Sequence, residues 1–156
     1  MGLFENFNRI TPFLWFDKNA EEAADFYVSI FKNSRILDGM RSPADNPSGP
    51  AGTVLIVSFE LDGQKFTALN GGPAHNFTDA ISFVVRCESQ EEIDYYWSRL
   101  TDGGEEVACG WLKDKFGLSW QVVPTNLGEL LKPPKAFQAM MQMKKLDIEA
   151  LKRAAQ

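Results

Sequence analysis

The feature that most constrains how this chain can fold is a repeat of itself. ITPFLWFDKNAEEAADFYVSIF (Ile10 to Phe31) aligns without gaps on AISFVVRCESQEEIDYYWSRLT (Ala80 to Thr101), at an offset of about 70 residues. Phe13 falls on Phe83, Glu21 and Glu22 on Glu91 and Glu92, and Phe26-Tyr27 on Tyr96-Trp97. The offset exceeds solenoid periods, which run roughly 20–50 residues, so a whole supersecondary unit is duplicated. Each copy opens with an apolar run of strand length and, after a polar break, continues as an amphipathic helix. Asn19 and Ser89 are placed to cap the two helices, and the Glu three residues after each predicts a capping box.

The segments after the helices are also alike. SRILDGMR, TVLIVSFELDG and QKFTALNGG read as three strands, with Asp62-Gly63 as a hairpin signal. After the second helix, Gly103-Gly104 breaks the chain, and EEVAC, GWLKD and LSWQVVP predict shorter strands with Phe116-Gly117 in a turn. The fold class is therefore α+β, built from two tandem β-α-β-β-β modules. Module one spans about 8–72 and module two about 79–124, with Asn70 to Asp79 as linker. Asp38 to Gly52, rich in Pro, Gly and Ser, reads as a mobile loop. The tail over 126–156 is predicted helical: Pro133-Pro134 resets its direction, and Asp147 caps a fresh helix from Ile148.

Composition removes several functional classes. With 156 residues and 44% hydrophobic content the chain can bury the core of one compact domain. Sixteen Lys and Arg against 21 Asp and Glu leave a net charge of −5 and no basic stripe, so nucleic acid is not an expected partner. No apolar run approaches the roughly 20 residues needed to cross a bilayer, so no membrane is expected either. MGLFENFNRITPFLWF lacks a basic leader with a cleavage site, and Asn6 stands where myristoylation at Gly2 requires Ser or Thr. Cys87 and Cys109 have no metal-type spacing. The expectation is a cytoplasmic protein with reduced thiols.

Five blocks, ITPFLWF (10–16), AEEAADFY (20–27), EEIDYYW (91–97), GWLKDKFGLSWQVVP (110–124) and MKKLDIEAL (143–151), carry a resemblance that covers nearly the whole chain. They resemble the PhnB-like family, labelled 3-demethylubiquinone-9 3-methyltransferase domains, of the glyoxalase/bleomycin-resistance/dioxygenase (vicinal oxygen chelate) superfamily. The resemblance implies a single glyoxalase-like domain over 1–156, two modules forming a cup, added C-terminal helices, and a homodimer. In metal-using relatives the ligands, usually His and Glu, come from the first and last strands of each module. Laid on the last-strand motif, Asp114 and Gly117 fit, and the Glu falls on Gln121. The counterpart in module one falls near Ala68, and the first-strand positions near Ile10 or Thr11 and near Ala80 to Ser82. None is His, Glu or Asp, so a protein without metal or other cofactor is expected.

Strand alternation places Ser119, Gln121 and Val123 on one face, with Trp120 and Val122 against the helices. It likewise sets Thr11, Phe13 and Trp15 opposite Pro12, Leu14 and Phe16. An aromatic-lined cleft with a few polar groups is the usual form of a small-molecule site. Thr11, Trp15, Ser82, Trp111, Ser119 and Gln121 are the candidate ligand-binding residues, with Trp15 and Trp111 equally readable as core. His75, the only histidine, is the candidate general base, against its alternative as a solvated linker residue. An enzymatic alternative (lyase, isomerase or transferase, the methyltransferase label included) would draw on His75, Glu60 or Asp114. Cys109 reads as a buried strand thiol rather than a nucleophile. Met140, Met141 and Met143 form a Met-rich surface that packs on the domain itself or on a second subunit.

Overall fold

The computed structural model describes residues 3–156; Met1 and Gly2, with the myristoylation position at Gly2, lie outside the described residues. The chain divides into two compact units, Met1–Asn76 and Phe77–Gln156.

The first unit runs β1 (Phe13–Phe16), α1 (Ala20–Ile30), β2 (Arg35–Arg41), β3 (Val54–Leu61) and β4 (Gln64–Asn70). Its sheet has the order β1-β4-β3-β2, with β1 parallel to β4 and the other pairs antiparallel. A parallel neighbour requires a crossover, which α1 begins. Ala20, Ala23, Ala24, Tyr27 and Ile30 are the buried stripe of α1. Three alanines at this spacing let the helix axis lie close to the strands. Tyr27 then stacks on Phe59 at 6.0 Å, and Phe59 on Phe66 at 5.3 Å.

Two expectations change in this unit. The Asn19 side chain makes no capping bond; Asn70, at the end of β4, accepts from Ala20 N at 2.8 Å instead. Its amide also donates to Glu21 Oε1 at 2.7 Å and Val54 O at 3.0 Å. A cap supplied from a distant strand fixes the helix to the sheet, which a local Asn19 cap cannot do. Asp38 to Arg41, expected in a loop, belong to β2. The segment after it is tied by Ser42 N to Thr53 O and Gly52 N to Ser42 O, both 2.8 Å, and by Ala51 N to Asp45 Oδ1 at 2.9 Å.

The second unit repeats the pattern with β5 (Ser82–Cys87), α2 (Gln90–Thr101), β6 (Glu105–Glu106), β7 (Trp111–Lys113) and β8 (Ser119–Pro124), in the sheet order β5-β8-β7-β6. Helix α2 buries Ile93, Tyr96, Trp97 and Leu100, one face of a helix. Here the local cap forms: Ser89 Oγ accepts from Glu92 N at 3.2 Å, and Glu92 reaches back to Glu88 N at 2.6 Å. Strand β6 stops at Glu106, so EEVAC is mostly turn, and Cys109 sits there with φ 59°. The tail folds as α3 (Leu127–Leu130), α4 (Pro134–Met140) and α5 (Ile148–Ala154). Asp147 caps α5 through Ala150 N at 2.9 Å, as its sequence position predicts. Gln90 holds the tail at both ends of its amide, donating to Leu146 O at 3.0 Å and accepting from Ile148 N at 2.9 Å. Among the described residues no helix is long and apolar enough to cross a membrane.

The gapless alignment of the repeats does not survive in the strands. Three residues, Asp17 to Asn19, separate β1 from α1, whereas only Glu88 and Ser89 separate β5 from α2. The helices correspond at the expected offset and the strands are shifted by one. Since side chains alternate sides with a period of two, a one-residue shift exchanges faces. The counterpart of Phe13 is therefore Val84, not Phe83: Phe13 is 49% and Val84 59% exposed, while Phe83 packs against Trp120 at 5.7 Å.

Candidate functional site

The same shift relocates the position that corresponds to Gln121. In the second sheet Gln121 pairs with Val84 of β5 and with Trp111 of β7. In the first, Thr67 pairs with Phe13 of β1 and Ser58 of β3. Thr67 is thus the counterpart of Gln121, while Ala68, the expected one, is fully buried on the α1 side. Thr67 Oγ1 lies 3.2 Å from Ser58 Oγ, a buried hydroxyl pair that satisfies itself.

Each sheet has one face under its helix. On β8, Trp120, Val122 and Pro124 are buried on that side, and Gln121 and Val123 are half-buried on the other. Residues in register across neighbouring strands share a face. The open face of the second sheet therefore reads in rows: Glu105, Lys113, Ser119 and Ser82; then Trp111, Gln121 and Val84; then Val123 and Arg86. Four of the predicted residues, Ser82, Trp111, Ser119 and Gln121, are brought together here. Gln121 Nε2 donates to Ser82 Oγ at 2.9 Å. This leaves Gln121 Oε1 to accept and the Ser82 hydroxyl proton to donate. Ser119 is 1% exposed, and its Oγ has no partner among the described residues.

Thr11 and Trp15 lie in the first unit. Trp15 Nε1 donates to Gly72 O at 3.0 Å and its ring meets the His75 ring edge-on at 4.8 Å. A Cβ on Gly71 would come within 2.4 Å of the Trp15 ring, so only glycine lets the chain leave β4 beneath it. His75 itself is exposed in the segment after β4.

The acid-base candidates are occupied elsewhere. Asp114, at the end of β7, is buried; Oδ1 accepts from Phe116 N at 2.8 Å and Leu118 N at 3.1 Å, and Oδ2 from Trp120 Nε1 at 2.9 Å. Its carboxylate closes the β7–β8 hairpin under the helix-side Trp120 and is turned from Gln121. Glu60 lies 3.6 Å from Arg35 Nε. Cys109, expected as a buried strand thiol, is half-buried in a turn whose N–H donates to Met143 O at 2.8 Å. Cys87 is the buried strand cysteine: burial, reinforced by Glu92, pushes its thiol up to about 12. Among the described residues no three His, Cys, Asp or Glu side chains gather as a metal site would require. Sequence reasoning did not pick out Val84, Lys113 and Arg86 as neighbours of Gln121. The parallel β5–β8 register, which no local pattern encodes, places Val84 and Arg86 there, and the β7–β8 hairpin register places Lys113.

Comparison with known proteins agrees with this architecture. Residues 8–123 match the family model described as 3-demethylubiquinone-9 3-methyltransferase. A solved structure from Bacillus cereus, described as a putative 3-demethylubiquinone-9 3-methyltransferase, PhnB protein, is 39% identical, with TM-score 0.67, over 75% of this chain and 99% of that one. Protein PA1353 from Pseudomonas aeruginosa has the same fold at 18% identity and TM-score 0.64, over 75% of this chain and 97% of that one. The fosfomycin resistance protein FosX from Listeria monocytogenes does so at 19% identity and TM-score 0.56, over 80% of this chain and 97% of that one. No protein of curated function matches the chain. With duplicated β-α-β-β-β modules and a family match over most of its length, the chain belongs to the PhnB-like 3-demethylubiquinone-9 3-methyltransferase family.

Proposed function

We propose that this chain is a metal-free, homodimeric binding protein for a small aromatic or amphipathic molecule, seated on the open face of its second sheet. The observation that carries the reading is the Gln121–Ser82 hydrogen bond, which presents one acceptor and one donor beside Trp111 and the exposed Val84. A few fixed polar groups set among apolar ones are what a small-molecule site needs. A divalent metal does not fit the donors. In the second unit Gln121 and Ser82, and in the first Thr11 and Thr67, offer only amide and hydroxyl oxygens, whereas zinc and its neighbours require three or four imidazole, thiolate or carboxylate ligands. Acid-base catalysis finds little support, since Asp114 is buried with its carboxylate engaged by Phe116 N, Leu118 N and Trp120 Nε1, and Glu60 is paired with Arg35. The turns before α1 and α2, Asp17 to Asn19 and Glu88 to Ser89, contain no glycine. The Gly-rich cradle that holds nucleotide cofactors at a helix start is therefore not formed there. Exposed Val84 and Ile81, 59% and 69% accessible, are apolar surface for a second subunit or a ligand to cover.

The test combines elemental analysis of protein purified without chelator, light scattering, and calorimetry with naphthalene-based probes. Expected are no stoichiometric transition metal, a dimer, and probe binding weakened about tenfold by Gln121→Ala. Stoichiometric metal required for binding, or turnover abolished by His75→Ala, would overturn the reading.

A further inference from the structure

The geometry points to an aromatic acid as the ligand class: a bicyclic ring carrying a carboxylate, with the acid on the Lys113–Ser119–Ser82 row and the ring over Trp111 and Val84. This deepens the binding reading above and rests on it. Register builds the polar row. Lys113 pairs with Ser119 across β7–β8, and Ser119 with Ser82 across β8–β5, so the three side chains project from one face. All three are donors. Lys113 brings an ammonium on a side chain 39% exposed, held only loosely by Glu105 at 3.8 Å, its partner in register from β6. Ser82 has its own hydroxyl proton to give, because its oxygen already accepts from Gln121.

Ser119 is the second, independent observation. Its Oγ is sealed and unpartnered, the single such side-chain atom among the described residues. A buried hydroxyl without a partner is costly, and an arriving acceptor recovers that cost. The side chain beside it in register is Lys113, whose flexible stem can swing aside without disturbing the strands. A carboxylate has two oxygens with about four acceptor sites, enough for both hydroxyls and the ammonium together.

The next row on this face lies two residues along each strand, about 6.7 Å away at the usual rise. That reach exceeds a single phenyl ring attached to the carboxylate and suits a fused pair. There Trp111 and Val84 supply apolar contact, and Gln121 Oε1, between them, accepts from a hydroxyl or N–H on the ring. Two other charged groups share the face: Glu105, whose carboxylate the incoming acid must displace from Lys113, and Arg86, which is paired with Glu88 at 2.5 Å and does not compete for the acid.

The experiment is calorimetric titration of the full chain with 2-naphthoate and with 2-naphthamide, which differ in charge and not in ring. Naphthoate is expected to bind at least tenfold more tightly. Lys113→Met should abolish that preference, weakening naphthoate far more than naphthamide, whose neutral oxygen makes only an ordinary hydrogen bond there. Ser119→Ala should weaken naphthoate severalfold and naphthamide less, because the neutral amide oxygen accepts a weaker bond from the same hydroxyl. Lys113 is half-exposed, so its variant keeps the core intact. Equal affinity for the two probes, or a preference that persists in Lys113→Met, overturns the acid assignment while the binding reading stands. Failure of both probes to bind overturns both.

Discussion

Replacing Asp114 by Asn changes one atom of a buried carboxylate and tests what holds the β7–β8 hairpin. In the native chain one carboxylate oxygen accepts from Phe116 N and Leu118 N, and the other from Trp120 Nε1. The amide of Asp114→Asn has a single acceptor oxygen. If that oxygen keeps the two backbone donors, its NH2 faces the indole N–H, donor against donor, in a site 3% exposed. The indole N–H is left buried without an acceptor and facing another donor, a penalty at the top of the about 1–3 kcal/mol range for an unmatched buried donor. A loss of about 3 kcal/mol is therefore expected. For a chain of this length that corresponds to a fall in Tm of about 6–12 °C, taking about 2–4 °C per kcal/mol. Urea denaturation followed by tryptophan fluorescence and circular dichroism reads the change as a lower midpoint at constant slope. A loss below about 1 kcal/mol would refute the structural role of the carboxylate. Unchanged probe affinity in the folded fraction would separate that role from one in the site.

Asn70→Ala removes the cap on α1 and two donor bonds together. About 2–3 kcal/mol of stability should go with it, whereas Asn19→Ala should cost a few tenths, as chemical denaturation of the two variants will show. Gly71→Ala drives a methyl into the Trp15 ring and should cost about 1–3 kcal/mol, with the penalty shrinking in a Trp15→Phe background; a double-mutant cycle measures that coupling. The folded Cys87 thiol, raised to about 12, keeps its proton while the unfolded thiol ionises near 9. Its contribution to stability is thus complete below pH 9 and is lost as pH rises from 9 toward 12, by up to about 1.4 kcal/mol per unit. The stability difference between the parent and Cys87→Ala in urea should move with pH by that amount.

The duplicated modules, their β-α-β-β-β order, the helix faces and the family are legible in the amino-acid sequence, because they depend on periodicity and on residues near one another in the chain. Ser89 and Asp147 are caps by sequence and caps in the fold for the same reason. What tertiary structure decided were matters of register and of distant partners. Asn19 has the right type and place for a cap, yet Asn70, fifty residues on from Ala20, makes the bond. A strand-to-helix connection one residue shorter in the second module moved the counterpart of Gln121 from Ala68 to Thr67. Alternation in a strand tells which residues share a face but not which strand lies beside it. Gln121 is visible in the sequence as an amide in an apolar strand; that it bonds Ser82 and stands beside Val84 follows from the parallel pairing of β5 with β8, a contact made only once α2 has carried the chain across the sheet.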